Sequence, residues 1–490
     1  MRQLQAAAFL RIARQMSSFA PSTLNPRIKN VQYAVRGEIA IKAEKFREQL
    51  KDPNHGLPFD RVISANIGNP QQKGLDQPPL TFGRQVAALL EYPPLMESGK
   101  NIFPADVIAR AQELYAEVGS IGAYTHSQGV PYIRKNVAKF IEQRDGYPSN
   151  PDHIFLTAGA SAGVNLLINC LVSDDKSGIL IPIPQYPLYT ATLAQYGGVP
   201  LPYYLDETDH GWGTSTTEVE KAITKGIDEG IKPKALAIIN PGNPVGSVLT
   251  YAEQESLVQL CEKYNLVLLA DEVYQSNIHT KDTHTFTSFK KVVRDLKSEI
   301  PLISFHSISK GVTGECGRRG AYFECANVPD ETIALLYKMV SVGLCPTVGG
   351  QIGVDCMVRP PVEGDDSYPL WKEETDRIHK ALAERTVFMA KRLNSLPGMS
   401  CAPSPGSLYL FPCLHLPEKA LQAAKDAGRS PDSFYCIKLL EETGICVVGG
   451  DGFGQKEGQS HFRLTCLCAG VEAYVDKLEK FHLAFMEKYS

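Results

Sequence analysis

A chain of 490 residues exceeds what one small hydrophobic core organises, so two domains are the expectation. With 43% hydrophobic and 21% charged residues it has an ordinary globular composition, and a net charge of -4 gives no electrostatic footprint for nucleic acid. No apolar run approaches the ~18 residues that span a bilayer, and the 12 cysteines are scattered, with Cys466-Leu-Cys468 the nearest to a pair, which argues against a zinc site or a disulfide framework.

The first segment differs from the rest. Arg2, Arg11, Arg14, Arg27, Lys29 and Arg36 all precede Glu38, the first acidic residue. On a helical wheel Phe9, Ile12, Ala13 and Met16 share a face, with Arg11 and Arg14 opposite. Basic, acid-free and amphipathic is the physical description of a mitochondrial transit peptide, assigned here to residues 1–25; a cytoplasmic protein with a basic tail is the alternative.

Residues 38–51 read as a charged helix, closed by Asp52-Pro53-Asn54. A short strand follows in 62–70, broken by Gly68 and Pro70, where the glycine either admits a ligand close to the backbone or shapes a turn. Helices are expected over 104–117 and 131–144, with the loop 122–129 between them carrying Tyr124. From residue 152 the pattern becomes strand, loop, helix. Strands are expected at 153–157, 178–183, 235–239, 266–270 and 302–305, and Thr250 with Glu253 makes a capping box for a helix through Tyr264. Past 368 the character changes to a long amphipathic helix (371–393), short strands at 406–411, 445–448 and 461–465, and a final helix over 471–489.

Near-continuous apolar strands alternating with helices imply a mostly parallel sheet covered on both faces, a three-layer α/β domain, followed by a smaller α+β domain. Ligands of such sheets bind beyond the carboxyl ends of the strands. The polar clusters all stand there: Gly159-Ala160-Ser161, Gln185-Tyr186, Asn240-Pro-Gly-Asn243, Asp271-Glu-Val-Tyr274 and Ser307-Ile-Ser-Lys310. The first is either a phosphate cradle at a helix N-terminus or a tight packing turn. Asp271 ends a hydrophobic strand, where a carboxylate is costly without a cation. Lys310 lies between two serines and a run of glycines, a setting suited to a reactive amine as well as to an ordinary loop. No Gly-x-x-x-x-Gly-Lys-Ser/Thr or Gly-x-Gly-x-x-Gly follows the first strand, so nucleotide readings lack their fingerprints; Gly449–Gly454 reads as a turn. Together, a reactive lysine, a phosphate cradle and a partly buried carboxylate match the needs of pyridoxal phosphate.

At these residues the chain resembles the fold-type I pyridoxal-phosphate aminotransferases, with Asn240-Pro-Gly-Asn-Pro-Val-Gly246, Asp271-Glu-Val-Tyr274, Ser307-Ile-Ser-Lys310 and Arg318 in family order. The resemblance covers about 450 residues. It implies an N-terminal arm and part of the small domain in 26–100, a large cofactor-binding domain in 101–367 and a C-terminal small domain in 368–490. It also implies roles. Lys310 would carry the cofactor through its ε-amine and later shuttle a proton; Asp271 would pair with the pyridine nitrogen. Tyr274 and Asn243 would bond its phenolic oxygen, and Tyr186 would stack on its ring. Ala160, Ser161, Ser307, Ser309 and Arg318 would hold the phosphate, while Arg319 matches no family position and reads as structural or solvent-exposed. Tyr124 would reach the site from the neighbouring subunit of an obligatory homodimer. Arg463 and Gly68 would bind the substrate carboxylate, and no metal is implied. Within the family, Ala65–Gln71, Tyr124–Gly129 and Ile183–Tyr189 are most similar to the alanine aminotransferases, which implies exchange of an amino group between L-alanine and 2-oxoglutarate. The alternatives are an aromatic or kynurenine specificity, a lyase similar to aminocyclopropane-carboxylate synthase and, in another class, a non-catalytic cofactor-binding regulator.

Overall fold

Seven strands form the central sheet: β1 (Ile154–Thr157), β2 (Ser177–Ile183), β3 (Val199–Tyr204), β4 (Lys232–Ile239), β5 (Val267–Asp271), β6 (Leu302–Ser307) and β7 (Ala321–Ala326). In the computed structural model, which describes residues 23–33, 37–208 and 211–490, their order is β1-β7-β6-β5-β4-β2-β3. All neighbours run parallel except β7, which is antiparallel to both β1 and β6. The expected mostly parallel sheet is therefore present. The segment read as a leader lies, through residue 22, outside the described residues.

The sheet is apolar on both faces because helices cover both. One face packs Leu180, Leu236, Leu268 and Leu302 against Leu257, Val258, Phe289 and Val292. The other packs Phe155, Ile179, Ala237, Leu269 and Phe323 against Val164, Leu167 and Ile168 of the helix Ala160–Leu171. Burying each such Leu, Ile or Phe contributes about 1.5–3 kcal/mol, which is why these strands show no polar alternation. The capping box of helix Tyr251–Tyr264 forms in both directions: Glu253 N–H donates to the Thr250 hydroxyl, and Thr250 N–H to the Glu253 carboxylate.

A separate apolar core joins helices Tyr368–Asn394, Pro431–Thr443 and Val471–Tyr489 to the short strands Tyr409–Leu410 and Phe462–Thr465, the latter also pairing with Val448–Gly449. The strand expected in 62–70 is reduced to Ile63–Ser64, which pairs in parallel with Ile445–Cys446 and ties the early chain to this C-terminal unit. Two strands of the central sheet escaped the sequence reading. β3 carries Pro200 and Pro202, which suppress strand propensity but suit an edge, and β7 follows the Arg-Arg-Gly turn without a helix to announce it. Among the described residues no helix is long and apolar enough to cross a membrane.

Candidate active site

The parallel strands all end on one edge, and the antiparallel β7 begins there, its Ala321 in register with both Ser307 and Thr157. That edge gathers residues separated by up to some 400 positions into one cleft of about 310 Å³. Lining it are Gly68, Ala160, Ser161, Tyr186, Asn243, Asp271, Tyr274, Ser307, Ser309, Lys310 and Arg463, all of them expected from the sequence. Lys310 donates from Nζ to the Gly68 carbonyl at 2.7 Å. No side chain fits at Gly68: a Cβ there would stand 2.0 Å from the Tyr409 hydroxyl and 3.1 Å from Lys310 Nζ.

Two fully buried charges of the cleft, Asp271 and Arg463, have no ion-pair partner among the described residues. Asp271 is buried; its Oδ2 accepts from the Tyr189 hydroxyl at 3.2 Å, and its Oδ1 has no hydrogen bond of normal geometry. Burial pushes its carboxyl up to about 6, the Val273 amide, the Tyr189 hydroxyl and the Lys310 cation countering only part of that rise. Arg463 is 1% exposed, donates to Asn243 Oδ1 (3.0 Å) and the Asn66 carbonyl (2.5 Å), and leaves Nε unpaired. Its guanidinium lies 4.1 Å from the Tyr409 ring centre and 4.7 Å from that of Phe453. A buried guanidinium served only by neutral oxygens and ring faces is expensive, and it is poised for a carboxylate. Asn243 connects the parts, donating to the Tyr274 hydroxyl at 3.4 Å.

The anion corner differs from expectation. The helix of Ala160–Leu171 starts at Ala160 rather than Val164, with Gly159 as its N-cap at φ +87° and no side-chain cap bond. Its first turn, carrying Ala160 and Ser161, opens onto the cleft beside Ser307, whose hydroxyl donates to Ser309 Oγ at 3.0 Å. The arginine that faces this corner is Arg319, not Arg318. Arg318 ends the 3₁₀ turn Cys316–Arg318 and points away, pairing through Nε with Glu315 at 3.1 Å. Arg319 takes φ +58°, which turns its side chain back over Gly159, where it donates to the carbonyls of Ala158 (3.2 Å) and Cys316 (3.1 Å). A Cβ on Gly159 would stand 2.0 Å from its guanidinium, so the glycine is required. Counting eight residues from Lys310 selects the wrong member of an Arg-Arg pair, because consecutive side chains diverge and only the backbone decides which one faces in.

Tyr124 lies outside its own chain's cleft, 79% exposed. Sequence reasoning missed Tyr33, Tyr189, Arg319 and Tyr409. Tyr33 bonds through its hydroxyl to that of Tyr186, and burial together with Tyr33 raises the Tyr186 phenol. Burial would raise Tyr409 too, but the Lys310 and Arg463 cations hold it below the ordinary phenol value. Tyr189 carried a signal, since it follows the Gln185-Tyr-Pro cluster by two residues; Tyr33 and Tyr409 sit in stretches with none.

Residues 89–480 match the family Aminotransferase class I and II. This chain belongs to that family. A relative from Dictyostelium discoideum, a probable mitochondrial alanine aminotransferase, is 48% identical over 94% of this chain and 88% of its own. Glutamate–glyoxylate aminotransferase 2 of Arabidopsis thaliana is 46% identical over 96% of each chain. Among solved structures, an alanine aminotransferase from Pyrococcus furiosus superposes with a TM-score of 0.74 at 24% identity, covering 94% of this aminotransferase and all of that one; at that identity the likeness speaks for the fold.

Proposed function

We propose that this aminotransferase moves the amino group of L-alanine to 2-oxoglutarate, giving pyruvate and L-glutamate, with pyridoxal phosphate in the Lys310 cleft. One observation carries the reading: a single cleft is lined by the amine of Lys310, the carboxylate of Asp271 and the guanidinium of Arg463, with one Asp271 oxygen unpaired and Arg463 without a counterion among the described residues. The residues fit the cofactor. Asp271 Oδ1 is an orphaned buried acceptor suited to a protonated ring nitrogen, and the Gly159 helix start with Arg319 suits a phosphate dianion. When bound, the cofactor draws off the electrons released as the substrate Cα–H bond breaks.

The chain supplies the rest. Asp271 would hold a proton on the ring nitrogen, and Tyr189 fixes the carboxylate for that role. Lys310 would hold the cofactor through its ε-amine and would serve as the base that moves the proton released at the substrate Cα. Arg463 grips the α-carboxylate of either substrate bidentately, so that Cα faces Lys310. Tyr186 and Tyr33 close one side against water, and a second copy of the chain completes the site with its own Tyr124.

The choice of alanine is supported by the names of the relatives; the glutamate–glyoxylate relative favours a second reading in which glyoxylate is the acceptor. A panel of L-alanine, L-glutamate and aromatic amino acids against 2-oxoglutarate and glyoxylate tests both. Pyruvate release should be fastest from alanine with 2-oxoglutarate, faster release with glyoxylate supports the second reading, and aromatic donors far ahead of alanine overturn both. The basic leader is proposed to direct the chain to mitochondria, and unchanged localisation after deleting residues 1–20 would refute that.

A further inference from the structure

A second cluster of reactive side chains lies outside the cleft, assembled from three distant parts of the sequence. Cys413 and His461 face each other across an antiparallel bridge. Leu414 N–H donates to the Ser460 carbonyl (2.7 Å) and Phe462 N–H to the Pro412 carbonyl (3.2 Å), so hydrogen bonds flank the pair and none joins it. In that register side chains come closest and project to the same side. The ribbon Asp206–Thr208 with Gly211–Gly213, which follows β3, brings the third member, Glu207, whose Oε2 lies 3.0 Å from His461 Nε2. One donor atom from each of Glu207, Cys413 and His461 lies within 4.8 Å of the others.

The imidazole is held for this arrangement. Gln455 Oε1 stands 3.1 Å from His461 Nδ1 and also accepts the His461 backbone N–H at 3.1 Å. The amide oxygen therefore keeps the proton on Nδ1 and directs Nε2 at the sulfur and the carboxylate. Phe411 stacks on the ring at 4.9 Å and 2°, and Trp212 packs against it at 5.6 Å. With Nδ1 holding the proton and Nε2 aimed at the carboxylate, a cation shared by all three side chains satisfies every donor of the cluster. Glu207 and Cys413 also line a cavity of about 660 Å³, which leaves a coordination position open to water.

We propose that Glu207, Cys413 and His461 form a binding site for one divalent cation of the zinc class, clamping the ribbon after β3 to the C-terminal strands. A sulfur, an imidazole nitrogen and a carboxylate oxygen are the donor set of a four-coordinate zinc ion with water as fourth ligand. Ligand atoms of such a site stand about 3–4 Å apart, a separation reached from the present one by side-chain rotation. The sequence argued against zinc because it holds no Cys-x-x-Cys pair; here the ligands come from positions 207, 413 and 461, which only the fold brings together. The site does not depend on the substrate assigned above.

The test uses the full-length holoenzyme, stripped of metal by chelator and titrated with Zn²⁺ and with Co²⁺. Expected are one tightly held zinc per chain, the visible bands of tetrahedral cobalt, and quenching of Trp212 emission by Co²⁺ in a Trp371→Phe background, Trp212 and Trp371 being the two tryptophans. Cys413→Ser and Glu207→Gln, neither of which touches the catalytic cleft, should each weaken zinc binding at least about tenfold and abolish or shift the cobalt bands. Cys170→Ser, at an exposed cysteine elsewhere, should change neither. Absence of stoichiometric zinc, or binding and bands unaltered in Glu207→Gln, overturns the proposal; the Glu207 variant decides the matter even where Cys413→Ser fails to fold.

Discussion

Asp271→Asn is expected to strengthen the cofactor-free fold while destroying turnover. The carboxyl rises from an ordinary 3.8 to about 6 on folding because it is buried with one oxygen unpaired. At 1.36 kcal/mol per pKa unit this shift of about 2 corresponds to about 3 kcal/mol. The folded chain holds the proton more tightly than the unfolded one, so stability is lost as pH rises from about 4 through 6, and the full cost stands at pH 7. Asparagine keeps the shape and the bond from Tyr189 without the charge. Its Nδ2 would itself lack an acceptor, which offsets about 1–2 kcal/mol, leaving a net gain near 1–2 kcal/mol at neutral pH. The assay is urea unfolding of both proteins stripped of pyridoxal phosphate, at pH 4.5 and pH 7. The parent should lose stability relative to the variant by about 2 kcal/mol across that interval, while transaminase turnover in the reconstituted variant falls by several orders of magnitude. A difference between the two proteins that does not change with pH, or a variant that turns over normally, would refute the argument.

Other outcomes follow from the same geometry. Arg319→Lys should weaken pyridoxal-phosphate affinity by about ten- to a hundredfold through loss of the guanidinium fork, while Arg318→Lys, its partner being Glu315, leaves affinity within about twofold; equilibrium dialysis of the cofactor distinguishes them. Gly159→Ala forces φ +87° on an alanine, costing about 1–2 kcal/mol of stability, and pushes the Arg319 guanidinium aside, so that cofactor binding suffers more than the fold does when thermal unfolding and affinity are compared. Arg463→Lys replaces a bidentate contact by a point charge and should raise KM for both the amino acid and the oxo acid by about tenfold or more; an effect on one substrate alone would argue against a shared carboxylate site.

Much of the site was legible because its members sit at strand ends and the strands announce themselves. An uninterrupted apolar run such as Leu266–Ala270 makes a following Asp conspicuous, since nothing but a cation or a ligand offsets its burial. Asn243, Tyr274, Ser307 and Lys310 were readable for the same reason. Where neighbouring residues compete, the pattern carries no choice. Arg318 and Arg319 are chemically identical, and the left-handed turn at Arg319, which follows from the chain reversing into β7, decides which one enters. Tyr409 and Tyr33 come from a short strand and an irregular stretch whose orientation depends on packing against the rest of the molecule.

The sequence by itself determined the layered sheet, the edge on which ligands bind and the chemistry concentrated there, because hydrophobic periodicity and strand-end polarity are local properties of the chain. Tertiary structure alone decided which arginine faces the anion corner, how Tyr189 fixes Asp271, and that Glu207, Cys413 and His461 meet. Those are contacts between segments as far as 254 residues apart, and no local pattern encodes which distant side chain arrives at a given point in space.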